Sequence, residues 1–334
     1  MSLEFERIQK SFGAIKALRG VSFSIVAGES HALVGENGAG KSTLLKILAG
    51  LVRADAGEMR WEGKAFSPAS PRDAIEHGIG MVYQEMLCFP NLSVAANIFC
   101  GREIHRRGIL DETAMHERTR TVLGRLQLQI DPSALAESLS TAHRQLLQVA
   151  RAVAFDCRIL VLDEPTTSLT DAEADHLFDV LRELKHAGTT IVYVSHRLPE
   201  VFRLCDRITV LRDGGYVATY GRADVTSNDI VKAMVGRELP RRLVHDSTMG
   251  GDIDALSISA LSKSPHFSDV TLRVGRGEIV GLFGLVGSGR SELLETIFGA
   301  RRADAGTVKL DGKPIRSIGA AVRGGMGMAP EERK

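Results

Sequence analysis

The sequence predicts an α/β fold built around a largely parallel sheet, and it predicts that this fold begins twice along the chain. Two kinds of observation support this prediction. A glycine-rich loop at residues 35–42 lies between a strand-like and a helix-like segment, and short apolar runs that end in polar residues follow it. A second loop of the same kind lies at residues 284–291.

The composition argues against several classes of function. The 334 residues include 42 basic and 41 acidic side chains, which gives a formal net charge of +1. This balance favours neither a nucleic-acid groove nor a polybasic membrane patch, so no nucleic-acid partner is expected. No run approaches the ~18 apolar residues of a membrane-spanning helix, and the first residues lack the pattern of a secretory signal. We therefore expect any link to a membrane to run through a partner.

The first glycine-rich loop has the pattern of a phosphate-binding P-loop. Residues 30–34 are predicted to form a strand and residues 42–48 a helix, which is the setting that such a loop requires. The glycines let backbone N–H groups converge on an anion at the positive end of the helix. We expect Lys41 to reach the β- and γ-phosphates of a nucleotide and the Ser42 hydroxyl to bind Mg²⁺. The predicted nucleotide-binding residues of this segment are Gly35, Glu36, Asn37, Gly38, Ala39, Gly40, Lys41, Ser42 and Thr43.

Two adjacent acids, Asp163 and Glu164, end another predicted strand. The apolar run at 159–162 suits a strand that is buried on both faces of a parallel sheet. Ligands of such sheets bind beyond the carboxyl ends of the strands. We therefore expect Asp163 to hold Mg²⁺ and Glu164 to polarise the attacking water.

Two further polar residues follow predicted strands. His196 comes after the β-branched run at 190–195, and Gln84 comes after the run at 79–83. A lone histidine or glutamine is usually an ordinary surface or core residue. Their places at strand ends favour catalytic roles, and the Gln84 amide is expected to contact both the metal and the attacking water.

The chain repeats itself in a fixed order. The matched features are the two glycine-rich loops, a Leu-Leu pair, an Asp-Ala-Gly triplet, a Gly-Lys pair and a Gly-x-Gly-Met segment. The Leu-Leu pair occurs at 44–45 and 293–294, and the Asp-Ala-Gly triplet at 55–57 and 304–306. The Gly-Lys pair occurs at 63–64 and 312–313, and the Gly-x-Gly-Met segment at 78–81 and 325–328. Such a run predicts a tandem duplication.

In this order, the P-loop, Gln84, the acid pair and His196 resemble the ATPase of ABC transporters. The resemblance implies a P-loop NTPase cassette with a mixed sheet, an antiparallel β subdomain and a helical arm at about residues 86–155. It also implies that Phe12 stacks on adenine, with a core phenylalanine as the alternative. Ser140 falls in the family's signature segment, which closes over the γ-phosphate held by an opposite cassette, so cassette–cassette pairing is expected.

Stretches at 91–99, 195–200 and 234–239 resemble the branch that imports sugars such as ribose, galactose and xylose. This branch fuses two cassettes in one chain. The resemblance implies ATP and Mg²⁺ as cofactors, permease subunits that dock at about residues 85–101, and a periplasmic or extracellular sugar-binding protein reached through the permease. It also implies a peripheral position on the cytoplasmic face of the inner membrane.

The predicted domains are a first cassette at 1–240, a linker at 241–253 and the N-terminal part of a second, incomplete cassette at 254–334. Arg290 stands where Lys41 stands in the first loop. The broad guanidinium does not replace a compact ammonium under two phosphates, so the second loop is degenerate. The second copy is expected to stop before its own signature, acid pair and histidine. We therefore expect this chain to bind MgATP and to hydrolyse it poorly alone.

Three alternatives stay open at this point. The first is a soluble twin-cassette ATPase that acts on ribosomes or DNA, although Arg290, the short linker and the near-zero charge weigh against it. The second is another P-loop enzyme, such as a small-molecule kinase, which leaves His196 unexplained. The third is an ATP-binding module that lacks turnover.

Overall fold

The computed structural model describes residues 2–83, 88–167, 169–236, 254–284 and 288–329. Two compact units divide the chain, unit 1 at Met1–Leu239 and unit 2 at Pro240–Lys334. The linker predicted at 241–253 lies outside the described residues.

Unit 1 alternates strands and helices. In chain order its elements are β1 Ser2–Phe12, β2 Ile15–Val26, β3 Ser30–Val34, α1 Lys41–Leu48, β4 Ala56–Trp61, β5 Lys64–Phe66, α2 Pro71–Glu76, β6 Ile79–Val82, α3 Val94–Phe99, β7 His105–Arg106, β8 Ile109–Leu110, α4 Glu112–Arg125, α5 Thr141–Ala154, β9 Ile159–Asp163, α6 Asp171–His186, β10 Thr190–Val194, α7 Leu198–Leu204, β11 Arg207–Arg212, β12 Gly215–Gly221 and α8 Ser227–Val235. Short 3₁₀ turns lie at Ala136–Ser138 and Arg222–Asp224.

The centre of unit 1 is a six-stranded sheet in the order β12-β11-β3-β10-β9-β6. The pairs from β11 to β6 are parallel, and β12 is antiparallel to β11. Strand β3 lies between β10 and β11, and all five of its residues are buried. Ala32, Leu33 and Val34 form the apolar part of this strand, and the buried His31 ring contacts Glu29 and Thr209, each at 2.7 Å. The predicted α/β fold with a mixed sheet is confirmed.

Apolar residues on the two faces of this sheet enter two separate cores. Leu160, Leu162 and Tyr193 pack against the helices on one face, in a core that includes Phe178 of α6. Val161 and its neighbours pack on the other face with α1 and the strands of a second sheet. Alternate residues of one strand point to opposite faces, so each strand contributes to both cores.

The second sheet of unit 1 is antiparallel, in the order β2-β1-β4-β5. A separate helical region, from α3 to α5 with the hairpin β7-β8, occupies residues 94–154. Helix α5 begins at Thr141, directly after Ser140. The reason is a cap, because the Ser140 side chain accepts a hydrogen bond from the His143 N–H at 3.2 Å.

Unit 2 repeats the first part of unit 1, from β1 to α2, with one strand missing from the residues that the structure describes. Its elements are β13 Asp254–Lys263, β14 Phe267–Gly275, α9 Arg290–Phe298, β15 Ala305–Leu310, β16 Lys313–Pro314 and α10 Ile318–Arg323. The sheet order β14-β13-β15-β16 has the same connectivity as β2-β1-β4-β5. Gly57 and Gly306 occupy equivalent places in β4 and β15, both at φ 88°. A Cβ would lie 2.3 Å from the Arg7 carbonyl oxygen at Gly57 and 2.4 Å from that of Ala260 at Gly306.

Within this repeated part, strand β3 has no counterpart among the described residues of unit 2. Residues 279–283 stand where β3 stands in unit 1, yet they form no strand. Ile279 is 83% exposed and Phe283 is 100% exposed. Within the described residues of unit 2, no strand pairs with this segment. A single apolar run becomes a strand only where neighbours complete its hydrogen bonds.

Candidate functional site

A cleft of about 1020 Å³ opens in unit 1 at the carboxyl ends of β3, β9 and β10. It brings together the predicted loop, both predicted acids and the predicted histidine. The residues that line it are Ile15, Lys16, Ala17, Gly35, Glu36, Asn37, Gly38, Ala39, Gly40, Lys41, Ser42, Thr43, Asp163, Glu164, His196 and Met234.

The glycine-rich loop joins β3 to α1, as predicted. Gly40 is the N-cap of α1 at φ 98°. A Cβ at this position would lie 2.6 Å from the Ala17 carbonyl oxygen and 2.7 Å from Leu18 Cδ2. Only glycine fits a left-handed position with such close neighbours. The loop therefore presents backbone N–H groups at the positive end of α1, the arrangement that binds phosphate.

Lys41 is the first residue of α1 and is 7% exposed. Its Nζ donates to the Gly35 carbonyl oxygen at 2.8 Å and to the Glu36 carbonyl oxygen at 3.1 Å. Burial lowers the pKa of Lys41, and the charges of Glu164 and Asp163 oppose that shift. The ammonium is thus held inside the loop, directed at the centre of the cleft.

Asp163 and Ser42 are hydrogen-bonded to each other in the cleft. Burial and, secondarily, the charge of Glu164 raise the pKa of Asp163, whereas Lys41 and a hydrogen bond with Ser42 oppose this. Among the described residues, no group of three or more His, Cys, Asp or Glu could hold a metal. Mg²⁺ is usually bound through one or two carboxylates together with phosphate oxygens and water. One hydroxyl beside one carboxylate fits this mode.

Glu164 lies between β9 and the end of β10. Its N–H donates to the Val194 carbonyl oxygen at 2.9 Å, and its Oε1 lies 3.1 Å from Nδ1 of His196. The backbone of Glu164 has φ 49°, a left-handed conformation that non-glycine residues rarely adopt. Its side chain is 16% exposed and that of His196 is 58% exposed. A half-buried carboxylate beside an imidazole can accept a proton from a water molecule in the cleft.

The structure does not bring every predicted residue to the cleft. Phe12 does not line it, and the side chain is 49% exposed, so the alternative of a core phenylalanine is wrong. The Lys10 ammonium lies 5.5 Å from the centre of the Phe12 ring. Ser140 caps α5 outside the cleft. Gln84 lies outside the described residues, as do residues 285–287 of the second loop.

Four lining residues were missed by the sequence analysis, namely Ile15, Lys16, Ala17 and Met234. The first three come from the start of β2, and Met234 comes from the last turn of α8. No motif marks the first three, and their only signal was a position directly after the turn that follows Phe12. Met234 begins the stretch 234–239 that resembles the sugar-import branch, but nothing in that stretch indicated a place in the cleft.

The ABC transporter family model matches residues 18–167 and 267–334 of this sequence. The two matched segments cover both glycine-rich loops. The chain belongs to the ABC transporter family. Within this family, the chain is 44% identical over 335 residues to a ribose import ATP-binding protein of Streptomyces coelicolor and 45% identical over 334 residues to one of Yersinia pestis. In both cases the match covers 99% of this chain and 66% of the relative, so the chain spans about two thirds of the relatives' length.

Solved structures of ABC cassettes resemble the chain as well. The ADP conformation of an ATP-binding cassette of an ABC transporter aligns with a TM-score of 0.63 at 29% identity, over 71% of this chain and 100% of that one. A nucleotide-free cassette aligns with a TM-score of 0.62 at 26% identity, over 71% of this chain and 96% of that one. In the part of this ABC protein that the structure describes, no helix is long and apolar enough to span a bilayer.

Proposed function

We propose that this chain binds and hydrolyses ATP to energise the import of a sugar through a membrane permease. The observation that carries the proposal is the convergence of Lys41, Asp163 and Glu164 in one cleft at the end of a parallel sheet. Lys41 follows the loop after β3, whereas Asp163 ends β9 and Glu164 follows it directly. An arrangement of this kind serves phosphoryl transfer, in which positioning and charge stabilisation do most of the catalytic work.

The residues take distinct roles in this proposal. Lys41 and the loop N–H groups bind the phosphates, and Ser42 and Asp163 hold Mg²⁺ directly or through water. Bound Mg²⁺ would neutralise the charge that develops on the phosphate oxygens. Glu164 accepts a proton from the attacking water, and His196 orients Glu164 through their 3.1 Å contact. Gln84 is proposed to contact both the metal and that water.

The relatives support sugar as the transported solute. Those named above are ribose import proteins, and a relative of Burkholderia lata at 42% identity is described as a putative ribose/galactose/methyl galactoside import ATP-binding protein. Their names favour transport over a soluble twin-cassette ATPase or a small-molecule kinase. We propose the same peripheral position at the cytoplasmic face of the membrane, with cassette pairing and a sugar-binding protein reached through the permease.

A groove of about 310 Å³ beside β6 is the proposed docking place for a cytoplasmic segment of the permease. Cys100 and Gly101, from the predicted docking region at 85–101, lie in its wall, as does Phe155. Its charged lining residues, among those described, are Arg72, Arg102 and Arg151. The permease segment is therefore expected to carry apolar side chains and a carboxylate.

Two measurements test the proposed function. Titration with ATP in the presence and absence of Mg²⁺ should show that the chain binds ATP and that this binding depends on Mg²⁺. Reconstitution with the candidate permease in proteoliposomes should show ribose uptake that requires ATP. Binding without turnover or uptake in the reconstituted complex would instead support the alternative of an ATP-binding module.

A separate variant tests the proposed docking groove. Arg102→Glu should lower permease-stimulated hydrolysis and leave ATP binding unchanged.

A further inference from the structure

Glu200, on the first turn of α7, is a buried carboxylate that the site described above does not use. It is 6% exposed, and it is the only buried acid among the residues that the structure describes. It does not line the nucleotide cleft. A buried carboxylate destabilises the fold unless several hydrogen-bond donors surround it, so the contacts of Glu200 indicate its role.

Four side chains donate to this carboxylate. Thr166 Oγ1 lies 2.9 Å from Oε1 and 2.8 Å from Oε2 of Glu200. The Tyr193 hydroxyl donates to Oε2 at 2.8 Å, and the Ser195 hydroxyl donates to it at 3.2 Å. Arg197 Nη1 lies 2.7 Å from Oε1. Three of the four donors are buried residues, because Thr166, Tyr193 and Ser195 are all 3% exposed or less.

These donors belong to the two segments that carry the catalytic pair. Thr166 lies two residues after Glu164, and Ser195 and Arg197 stand on either side of His196. The Ser195 hydroxyl also accepts a hydrogen bond from the Arg197 N–H at 3.0 Å. The Glu200 carboxylate therefore links the loop after β9 to the loop after β10 through hydrogen bonds.

Both catalytic residues need such support. The left-handed backbone of Glu164, at φ 49°, is strained and persists only where its surroundings hold it. His196 has a side chain that is 58% exposed, so packing alone does not fix its ring. The contacts of Thr166, Ser195 and Arg197 with Glu200 restrict the backbone near Glu164 and near His196.

We propose that Glu200 is a positioning residue that holds Glu164 and His196 in contact by fixing the loops on which they lie. The inference rests on the proposed function, because it assigns Glu200 a role in the same hydrolysis. Glu200 acts through Thr166, Ser195 and Arg197 and does not contact the nucleotide. A misplacement of about 1 Å in a catalytic group can cost about 10²-fold in rate.

The test compares Glu200→Gln with Glu29→Gln in the complex reconstituted with the permease, because this chain is expected to hydrolyse ATP poorly alone. Glu29 is a matched control, because its side chain is 11% exposed and bonds the buried His31 at 2.7 Å. It directly precedes β3, at the sheet edge opposite the cleft. Single-turnover hydrolysis should be about 10²-fold slower in Glu200→Gln, whereas the Kd for ATP changes by less than about threefold. Glu29→Gln should leave the hydrolysis rate unchanged.

A spectroscopic readout does not depend on turnover. The imidazole ¹H–¹⁵N signals of His196, assigned with His196→Gln, should move in Glu200→Gln and stay in place in Glu29→Gln. Thr166→Val, a nearly isosteric change, should shift the His196 signals in the same direction but by a smaller amount. This second variant keeps the test valid if Glu200→Gln does not fold. Unchanged His196 signals in both variants would overturn the inference. Absence of ATP binding by the unmodified chain would instead overturn the proposed function.

Discussion

Nδ1 of His196 lies 3.1 Å from Oε1 of Glu164, across the carboxyl ends of the neighbouring strands β10 and β9. The two residues are 32 positions apart in the sequence. The parallel register, which pairs Val194 with Asp163, places both of them just beyond the same sheet edge. In the function proposed above, the loop with Lys41 binds phosphate, whereas the Glu164–His196 pair acts on the attacking water.

Glu164→Gln should retain ATP binding and lose turnover. The amide keeps the shape of the side chain but cannot accept a proton from water, and general-base catalysis contributes about 10²–10⁴-fold. We expect hydrolysis to fall by that factor while the Kd for MgATP changes little. Glu183→Gln on α6, which removes the charge of a carboxylate that contacts Gln127, is the control. Loss of binding in Glu164→Gln would contradict the role of Glu164 as the base.

Lys41→Arg should weaken ATP binding, because the guanidinium does not fit the position of the buried ammonium between two carbonyl oxygens at 2.8 and 3.1 Å. Loss of a well-placed buried charge contact costs about 2–5 kcal/mol, or about 30-fold or more in Kd. Isothermal titration with ATP measures the effect. Arg290→Lys is the matched exchange in the second loop, and it should leave the affinity of the first site unaltered. Equal Kd values for Lys41→Arg and the unmodified chain would refute the assignment.

Asp163→Asn should stabilise the protein in the absence of Mg²⁺ and nucleotide. Burial raises the pKa of Asp163, so the fold disfavours the ionised carboxylate. This penalty is absent below the ordinary carboxyl pKa of 3.8 and develops as the pH rises above it. Thermal unfolding at pH 7 should show a gain of about 0.5–2 kcal/mol, and the gain should vanish at low pH. A stability difference that is independent of pH would exclude this cause.

Phe12→Ala should weaken ATP binding but not the binding of inorganic triphosphate, if the ring stacks on adenine as the family resemblance implies. Base stacking on an aromatic ring contributes about 1–3 kcal/mol. Ile15→Ala is the comparison, because Ile15 lines the cleft and Phe12 does not. The affinities of both variants for both ligands can be measured by competition. Should Ile15→Ala alone lose affinity for ATP, the base lies against β2 instead.

Local sequence patterns predicted the strands and helices around the phosphate loop well. The predicted strand at 30–34 coincides with β3, and α1 begins one residue before its predicted start. Both depend on short-range signals, namely a buried apolar run and a glycine loop of fixed spacing. The acid pair and His196 were predictable as well, because parallel strands bring their carboxyl ends to one edge.

Long-range packing determines what the sequence could not show. Ile15 and Met234 reach the cleft only because β2 and α8 fold back towards the loop. Glu200 follows a recognisable histidine by four residues, but nothing local shows that its carboxylate is buried among donors from two loops. The segment at 279–283 is as apolar as a strand but pairs with no strand among the described residues, because strand formation depends on neighbours as well as on composition.

The equivalent glycines Gly57 and Gly306 share one backbone conformation, whereas Lys41 and Arg290 differ at an equally matched position. The bend is constrained by geometry, because a Cβ there would lie 2.3 or 2.4 Å from a backbone carbonyl oxygen in either unit. The cation of the loop is constrained only by the phosphate chemistry proposed for the cleft. The two pairs of positions thus distinguish a requirement of the backbone, which both units meet, from a requirement of the proposed site, which only Lys41 meets.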